Sequence, residues 1–256
     1  MRSARIEGSP FAFLVGAALV IGAWSARAVA EPPAAGLGYG LYDRVVEDLP
    51  DVRGALIEDD GSIVAVLGSG GVVRVQADGQ RSTLVPWWPA GQVSYAGAIA
   101  RMVGGGYIVL DVPRAHLVLI APDGTRSVMA DLSLLAAPPR GVALCTDGAR
   151  VLVADGSDPR VLVVEGSGTT AAQWQVPAPD GGLAPQLRGI ASGGGHVFVS
   201  DAANNRIVRL DPKSGAVTHA WGDRGIFPGM FESPAGLAWD GSALLVTDTL
   251  NHRVVR

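Results

Sequence analysis

Four aspartates in this chain are each followed, five residues on, by a basic side chain. The pairs are Asp111 with His116, Asp155 with Arg160, Asp201 with Arg206, and Asp248 with Arg253. A series of carboxylates invites a reading as catalytic acids. Repetition argues against it, because an active site needs asymmetry, whereas a structural part recurs once per unit. An Asp that ends one strand and an Arg that begins the next can close a hairpin with charge-assisted hydrogen bonds. Asp111, Asp155, Asp201, Asp248, Arg160, Arg206 and Arg253 are therefore predicted to be structural clamps, and no catalytic residue is assigned.

The other reactive side chains are sparse. None of the four histidines, His116, His196, His219 and His252, is paired with another at metal-ligand spacing. Neither a His-Glu-x-x-His, a Gly-x-Ser-x-Gly nor a phosphate-binding Walker loop is present. The glycine triplets 104–106 and 193–195 precede no helical pattern and read as turns. Cys145 is the only cysteine, which excludes intramolecular disulfides and Cys-based zinc sites; it sits in an apolar stretch and reads as a buried hydrophobe. No metal site and no cofactor are expected. Three arginines stand out by position: Arg53, Arg140 and Arg188 each lead into a recurring apolar segment. Brought to one mouth of a ring, three guanidiniums would favour a carboxylate or phosphate. Trp87, Trp88 and Tyr95 fall in a long segment expected on the same face, where exposed aromatics suit a protein or glycan partner.

Those segments define the elements. RGALIEDDGSIVAVL, AGAIARMVGGGYIVLD, RGVALCTDGARVLVAD, RGIASGGGHVFVSD and AGLAWDGSALLVTD align on Gly54, Gly97, Gly141, Gly189 and Gly236, at spacings of 43, 44, 48 and 47 residues. A period of that size marks a solenoid or a propeller. The local pattern is short β-type runs separated by Asp-Gly turns, without helical periodicity. Four strands per unit in a radial array make a β-propeller. The segments 86–96, 131–140, 177–188 and 222–235 would join each fourth strand to the next first strand, and loops on a rigid scaffold commonly carry function.

The C-terminal stretch WGDRGIFPGMFESPAGLAWDGSALLVTDTLNHRVVR resembles an NHL repeat. Phe231, Pro234, Gly236, Asp248 and the Asn251-His252-Arg253 corner match that family's pattern. Asp201 with Asn204-Asn205-Arg206 keeps a weaker form, while the first unit has Leu67 where the Asp is expected. The resemblance covers residues 50–256 and implies an all-β propeller of four-stranded blades with a binding role. It also agrees with the clamp reading. Propeller enzymes near the family, the peptidylglycine amidating lyases and gluconolactonase-like hydrolases, set the alternative: a metal-dependent lyase or lactonase holding zinc or calcium. The zinc ligands of the first cannot be placed here, and the Glu-Gly-Pro start of the second is missing.

Five repeats are visible, and the last stops within its third strand. The strand-like segment 41–49 (LYDRVVEDL) is predicted to pair beside 253–256 and close a five-bladed ring; the alternative is an incomplete six-bladed propeller. Residues 1–30 have the order of a secretory signal peptide: Arg2 and Arg5, an uncharged run over 11–24, then Ala28-Val29-Ala30. Fourteen apolar residues are short of the roughly 20 that span a bilayer. The predicted organisation is a signal at 1–30, a linker at 31–40 and the propeller at 41–256. The product would be periplasmic or extracellular, a monomer without a stable membrane anchor. The whole chain carries a net charge of −4, and nucleic acid is excluded as a general partner because phosphate contacts need clustered cations. The expected function is an exported, non-catalytic recognition or scaffold propeller that binds a protein or a small anionic ligand at one face of its channel.

Overall fold

The computed structural model describes residues 49, 51–58, 60–76, 78–86 and 96–256. They form an all-β, five-bladed β-propeller. Blade one is β1 (Val52–Ile57), β2 (Ile63–Leu67), β3 (Val72–Val75) and β4 (Arg81–Val85). Blade two is β5 (Ala96–Arg101), β6 (Tyr107–Asp111), β7 (His116–Ile120) and β8 (Arg126–Asp131). Blade three is β9 (Gly141–Asp147), β10 (Arg150–Asp155), β11 (Arg160–Val164) and β12 (Thr170–Gln175). Blade four is β13 (Leu187–Gly193), β14 (His196–Asp201), β15 (Arg206–Leu210) and β16 (Val217–Trp221). Blade five has three described strands, β17 (Pro234–Trp239), β18 (Leu244–Asp248) and β19 (Arg253–Val255). Every pairing within a blade is antiparallel between consecutive strands. The segment 41–48 predicted to close the ring lies outside the described residues, and Leu49 carries no regular structure.

The second strands read as continuous apolar runs because both of their faces are covered. In β10, Val151 and Val153 pack with Ile108, Leu110 and Leu117 of blade two. Their neighbours Leu152 and Ala154 pack with Leu187, Val197 and Val208 of blade four. Alternate residues of a strand point to opposite faces, so one strand supplies two interblade cores. Blades one and two meet through Val64, Val66, Val109 and Val118. Blades four and five meet through Phe198, Ile207, Phe231 and Val246. Among the described residues no fifth core joins blade five to blade one.

Antiparallel connectivity gives the molecule two distinct faces. The turns from first to second and from third to fourth strands lie on one face. The second-to-third corners and the interblade loops lie on the other. On the turn face, Gly61, Gly79, Gly124, Gly148 and Gly241 take positive φ, the backbone state for which the predicted Asp-Gly turns need glycine. The carboxylates of these turns are held in hydrogen bonds. Side-chain or backbone donors of Ser62, Thr125 and Ser214 hold Asp60, Asp123 and Asp211 below the usual carboxylate range. Arg256 does the same for Asp240, and Ser133 for Asp131 in the loop after blade two. A carboxyl whose pKa is lowered by folding stabilises the fold above its unfolded value, about 3.9. That contribution disappears as the pH falls through the folded value. A melting series should therefore show the transition temperature dropping progressively once the pH is taken below about 4; an unchanged transition at pH 3 would refute the role of these carboxylates.

Candidate functional site

The loop face is built from the clamps outward. Asp201 is fully buried. Its Oδ1 accepts the Gln186 amide at 3.0 Å, which ties the end of β14 to the loop entering β13. Its Oδ2 accepts Asn204 Nδ2 and Arg206 Nε, both at 2.8 Å. Asp155 repeats the plan, with the Arg140 amide on Oδ1 and Arg160 Nε on Oδ2, each at 3.0 Å. Asp248 takes the Glu232 amide at 2.6 Å and Arg253 Nε at 2.7 Å. Each carboxylate thus joins a second strand, a third strand and an interblade loop.

The arginines reach further than their sequence spacing indicates. Arg160 donates to the Ala137 carbonyl at 2.5 Å and Arg206 to the Pro177 carbonyl at 2.6 Å. Arg253 holds the carbonyls of Ile226 and Met230 at 2.5 and 2.8 Å. Asn204 closes a two-way amide contact with the backbone of Leu183, donating at 3.0 Å and accepting at 2.8 Å. Asn251 donates to the Gly225 carbonyl at 2.9 Å. These amides anchor the interblade loops, a role missed in the residue-by-residue reading although both sit two positions before a clamp arginine.

Blade two departs from the pattern. His116 does not engage Asp111; its Nε2 lies 3.2 Å from Asp131 Oδ1, across the β7–β8 pairing. Asp111 instead accepts Arg114 Nη1 at 3.1 Å. His116 is too short for the role that Arg160 plays, and Asp131 is its cross-strand partner. In blade one, where Leu67 stands in place of the Asp, the Gly68 amide still donates to the Asp51 carbonyl at 2.8 Å, as the Gly156 amide does to the Arg140 carbonyl and the Ala202 amide to that of Gln186.

The three arginines at first-strand starts occupy blades one, three and four of this face. Arg53 is mostly buried and paired with Asp51 at 2.7 Å. Arg140 is exposed. Arg188 is exposed as well, and donates to Gln186 Oε1 at 3.3 Å. Trp87, Trp88 and Tyr95 lie outside the described residues. Sequence reading missed the apolar side chains that share this face. Leu134, Leu183, Ile226 and Phe227, on three successive interblade loops, are 82%, 65%, 62% and 66% exposed. Cys145 has no reactive character: desolvation pushes its thiol up to about 12. Among the described residues, no group of three or more His, Cys, Asp or Glu is placed to hold a metal ion.

This geometry defines a β-propeller whose interblade loops are fixed at one face. No protein-family model matches the chain, and no curated protein matches it. Solved propellers do. A catalytically inactive virginiamycin B lyase from Staphylococcus aureus, solved with quinupristin, has 16% identity and a TM-score of 0.59, over 79% of this chain and 64% of that one. An auxiliary nutrient binding protein from Bacteroides ovatus has 15% identity and a TM-score of 0.59, over 82% and 59%. The Myxococcus xanthus glutaminyl cyclase has 14% identity and a TM-score of 0.52, over 82% and 93%. The chain therefore spans less than two thirds of the length of the first two. A lyase, a binding protein and a cyclase share this fold, so activity must be argued from the site.

Proposed function

We propose that this chain is an exported, non-catalytic recognition propeller of the NHL type, and that it binds a protein partner through its interblade-loop face. The observation that carries the reading is the set of Leu134, Leu183, Ile226 and Phe227 exposed on consecutive loops of one face. Scattered exposed apolar side chains are ordinary. A set placed on one face, on loops whose backbones are pinned by buried Asp–Arg pairs, supports a pre-organised interface. Such an interface avoids much of the ordering cost of association. Arg140 and Arg188 beside it would favour carboxylates on the partner's rim. Residues 1–30 supply the export signal, and the mature protein acts outside the cytoplasm without a membrane anchor.

The test is affinity capture from the exported fraction of the source cells, using the mature protein as bait. A Leu183→Ser, Phe227→Ser variant should keep its melting temperature, because both side chains are exposed, and should lose the proteins that the wild type retains. A Lys213→Ala variant, on the opposite face, should retain them. Equal capture by all three baits would overturn the reading.

A further inference from the structure

The turn face holds a second feature that the loop-face reading does not use. A cleft of about 370 Å³ opens between the first-strand turns of blades three and four. Asp147 and Arg150 line it from blade three, and Ser192, His196 and Lys213 from blade four. A shallower depression adjoins it through Thr146 and is lined by Arg101. The volume is in the range of small-molecule sites, roughly 300–1,000 Å³. Two cations, Arg150 and Lys213, line the cleft beside one carboxylate, Asp147, and a third cation, Arg101, lines the adjoining depression.

The cleft walls are fixed. Ser192 Oγ donates to the Thr146 carbonyl at 2.5 Å, and Thr146 Oγ1 donates to the Arg101 carbonyl at 2.8 Å. These bonds tie the turns of blades two, three and four together. Arg150 is held by Asp147, and Asp211 accepts the Lys213 amide at 3.0 Å, which sets the stem of that side chain. His196 Nδ1 is covered and has no partner among the described residues. A buried N–H without an acceptor is rarer and more costly than a bare lone pair, so the neutral ring carries its proton on Nε2. That leaves Nε2–H as the donor the ring offers at the cleft. Gly194 and Gly195, at φ +58° and +75°, form the adjoining turn. Trp239 packs over the space that a side chain at position 193 would need.

From this arrangement we propose that the cleft between blades three and four is a binding site for a small oxyanion-bearing solute, a carboxylate or a phosphate. Lys213 and the His196 Nε2–H act as donors, and Arg150, oriented by Asp147, supplies the fixed positive charge. The site lies on the opposite face from the proposed protein interface and stands whether or not that interface exists.

Two variants test the charge logic, with inorganic phosphate and succinate as probes in isothermal titration at low salt. Lys213→Ala removes one charge-assisted contact and should weaken binding of both roughly tenfold. Arg150→Ala removes the fixed positive charge and should weaken binding of both to a similar extent. Arg140→Ala, on the loop face, should leave affinity unchanged. Binding should also weaken as sodium chloride is raised to 0.5 M. If phosphate alone binds, the source is a phosphorylated solute; if succinate alone, a carboxylate. Absence of binding by either at 10 mM overturns the proposal, as does a Lys213→Ala variant with wild-type affinity. An Arg150→Ala variant with wild-type affinity would overturn it too.

Discussion

Asp201→Ala should lower the melting temperature by roughly 10 °C, the largest loss expected from a single polar substitution in blade four. The carboxylate is fully buried and accepts the Gln186 amide, Asn204 Nδ2 and Arg206 Nε. Its removal strands the Gln186 amide and the Arg206 Nε–H, and leaves Asn204 Nδ2 only its contact with the Leu183 carbonyl. The Arg206 side chain, only 12% exposed, is left as a buried charge held by the Pro177 carbonyl alone. Breaking a buried pair from one side costs about 3–5 kcal/mol. For a domain of this size each kcal/mol moves the transition by about 2–4 °C. Arg224→Ala is the control. Arg224 also pairs with a carboxylate, Glu232 at 2.8 Å, but is 76% exposed; exposed pairs contribute about 0–1 kcal/mol. If Asp201→Ala costs no more than Arg224→Ala, burial is not what makes the clamp strong.

The Asp201 result bears on what the sequence could disclose. Asp201 and Arg206 are direct cross-strand partners in the β14–β15 register, as are Asp248 and Arg253 in β18–β19. A fixed five-residue spacing therefore encodes the contact, and the spacing was readable. His116 shows the limit of that rule. It faces Asp111 across β6–β7 and Asp131 across β7–β8, and only the side-chain geometry decides that it takes Asp131. The carbonyls of Ala137, Pro177 and Ile226 are likewise unmarked, because any residue type supplies a carbonyl and loop shape alone brings it to the arginine. Blade number, turn chemistry and apolar alternation were legible because they are local and repeated. The cleft residues Arg150, His196 and Lys213 were not, since three separate turns bring them together and none carries a motif. His196 and the 193–195 glycine triplet were read as a lone histidine and a turn. Trp239, more than forty residues downstream, is what requires the absence of a side chain at position 193.

Gly189→Ala should destabilise the protein sharply, whereas Gly54→Ala should be close to neutral. Both glycines lie in first strands, and from sequence they are equivalent. Adding a methyl group to an ordinary glycine that keeps negative φ stabilises by about 0.4–1 kcal/mol, because the unfolded chain loses freedom. Packing decides whether that gain survives. At Gly54 the added carbon would stand 3.2 Å from Ala98 Cα and Ile99 N, a tight contact that a shift of a few tenths of an ångström relieves. At Gly189 it would stand 2.1 Å from the Ala235 carbonyl oxygen and 3.1 Å from Leu237 N. Those are backbone atoms of β17, and a backbone cannot rotate aside as a side chain does. The Ala235 carbonyl is also fixed, since it accepts Ser200 Oγ at 2.6 Å across the blade interface. Relief would require β17 to move outward, which breaks that bond and loosens the Phe198–Trp239 stack, whose ring centroids are 5.9 Å apart. Overpacking of this kind costs about 1–3 kcal/mol and more where backbone must move, so the transition should fall by roughly 5–10 °C. Thermal melts of the two variants beside the wild type decide it. Equal transitions for Gly189→Ala and Gly54→Ala would mean that blades four and five are not packed more closely than blades one and two, and that the close approach of β13 to β17 does not set the stability of this interface.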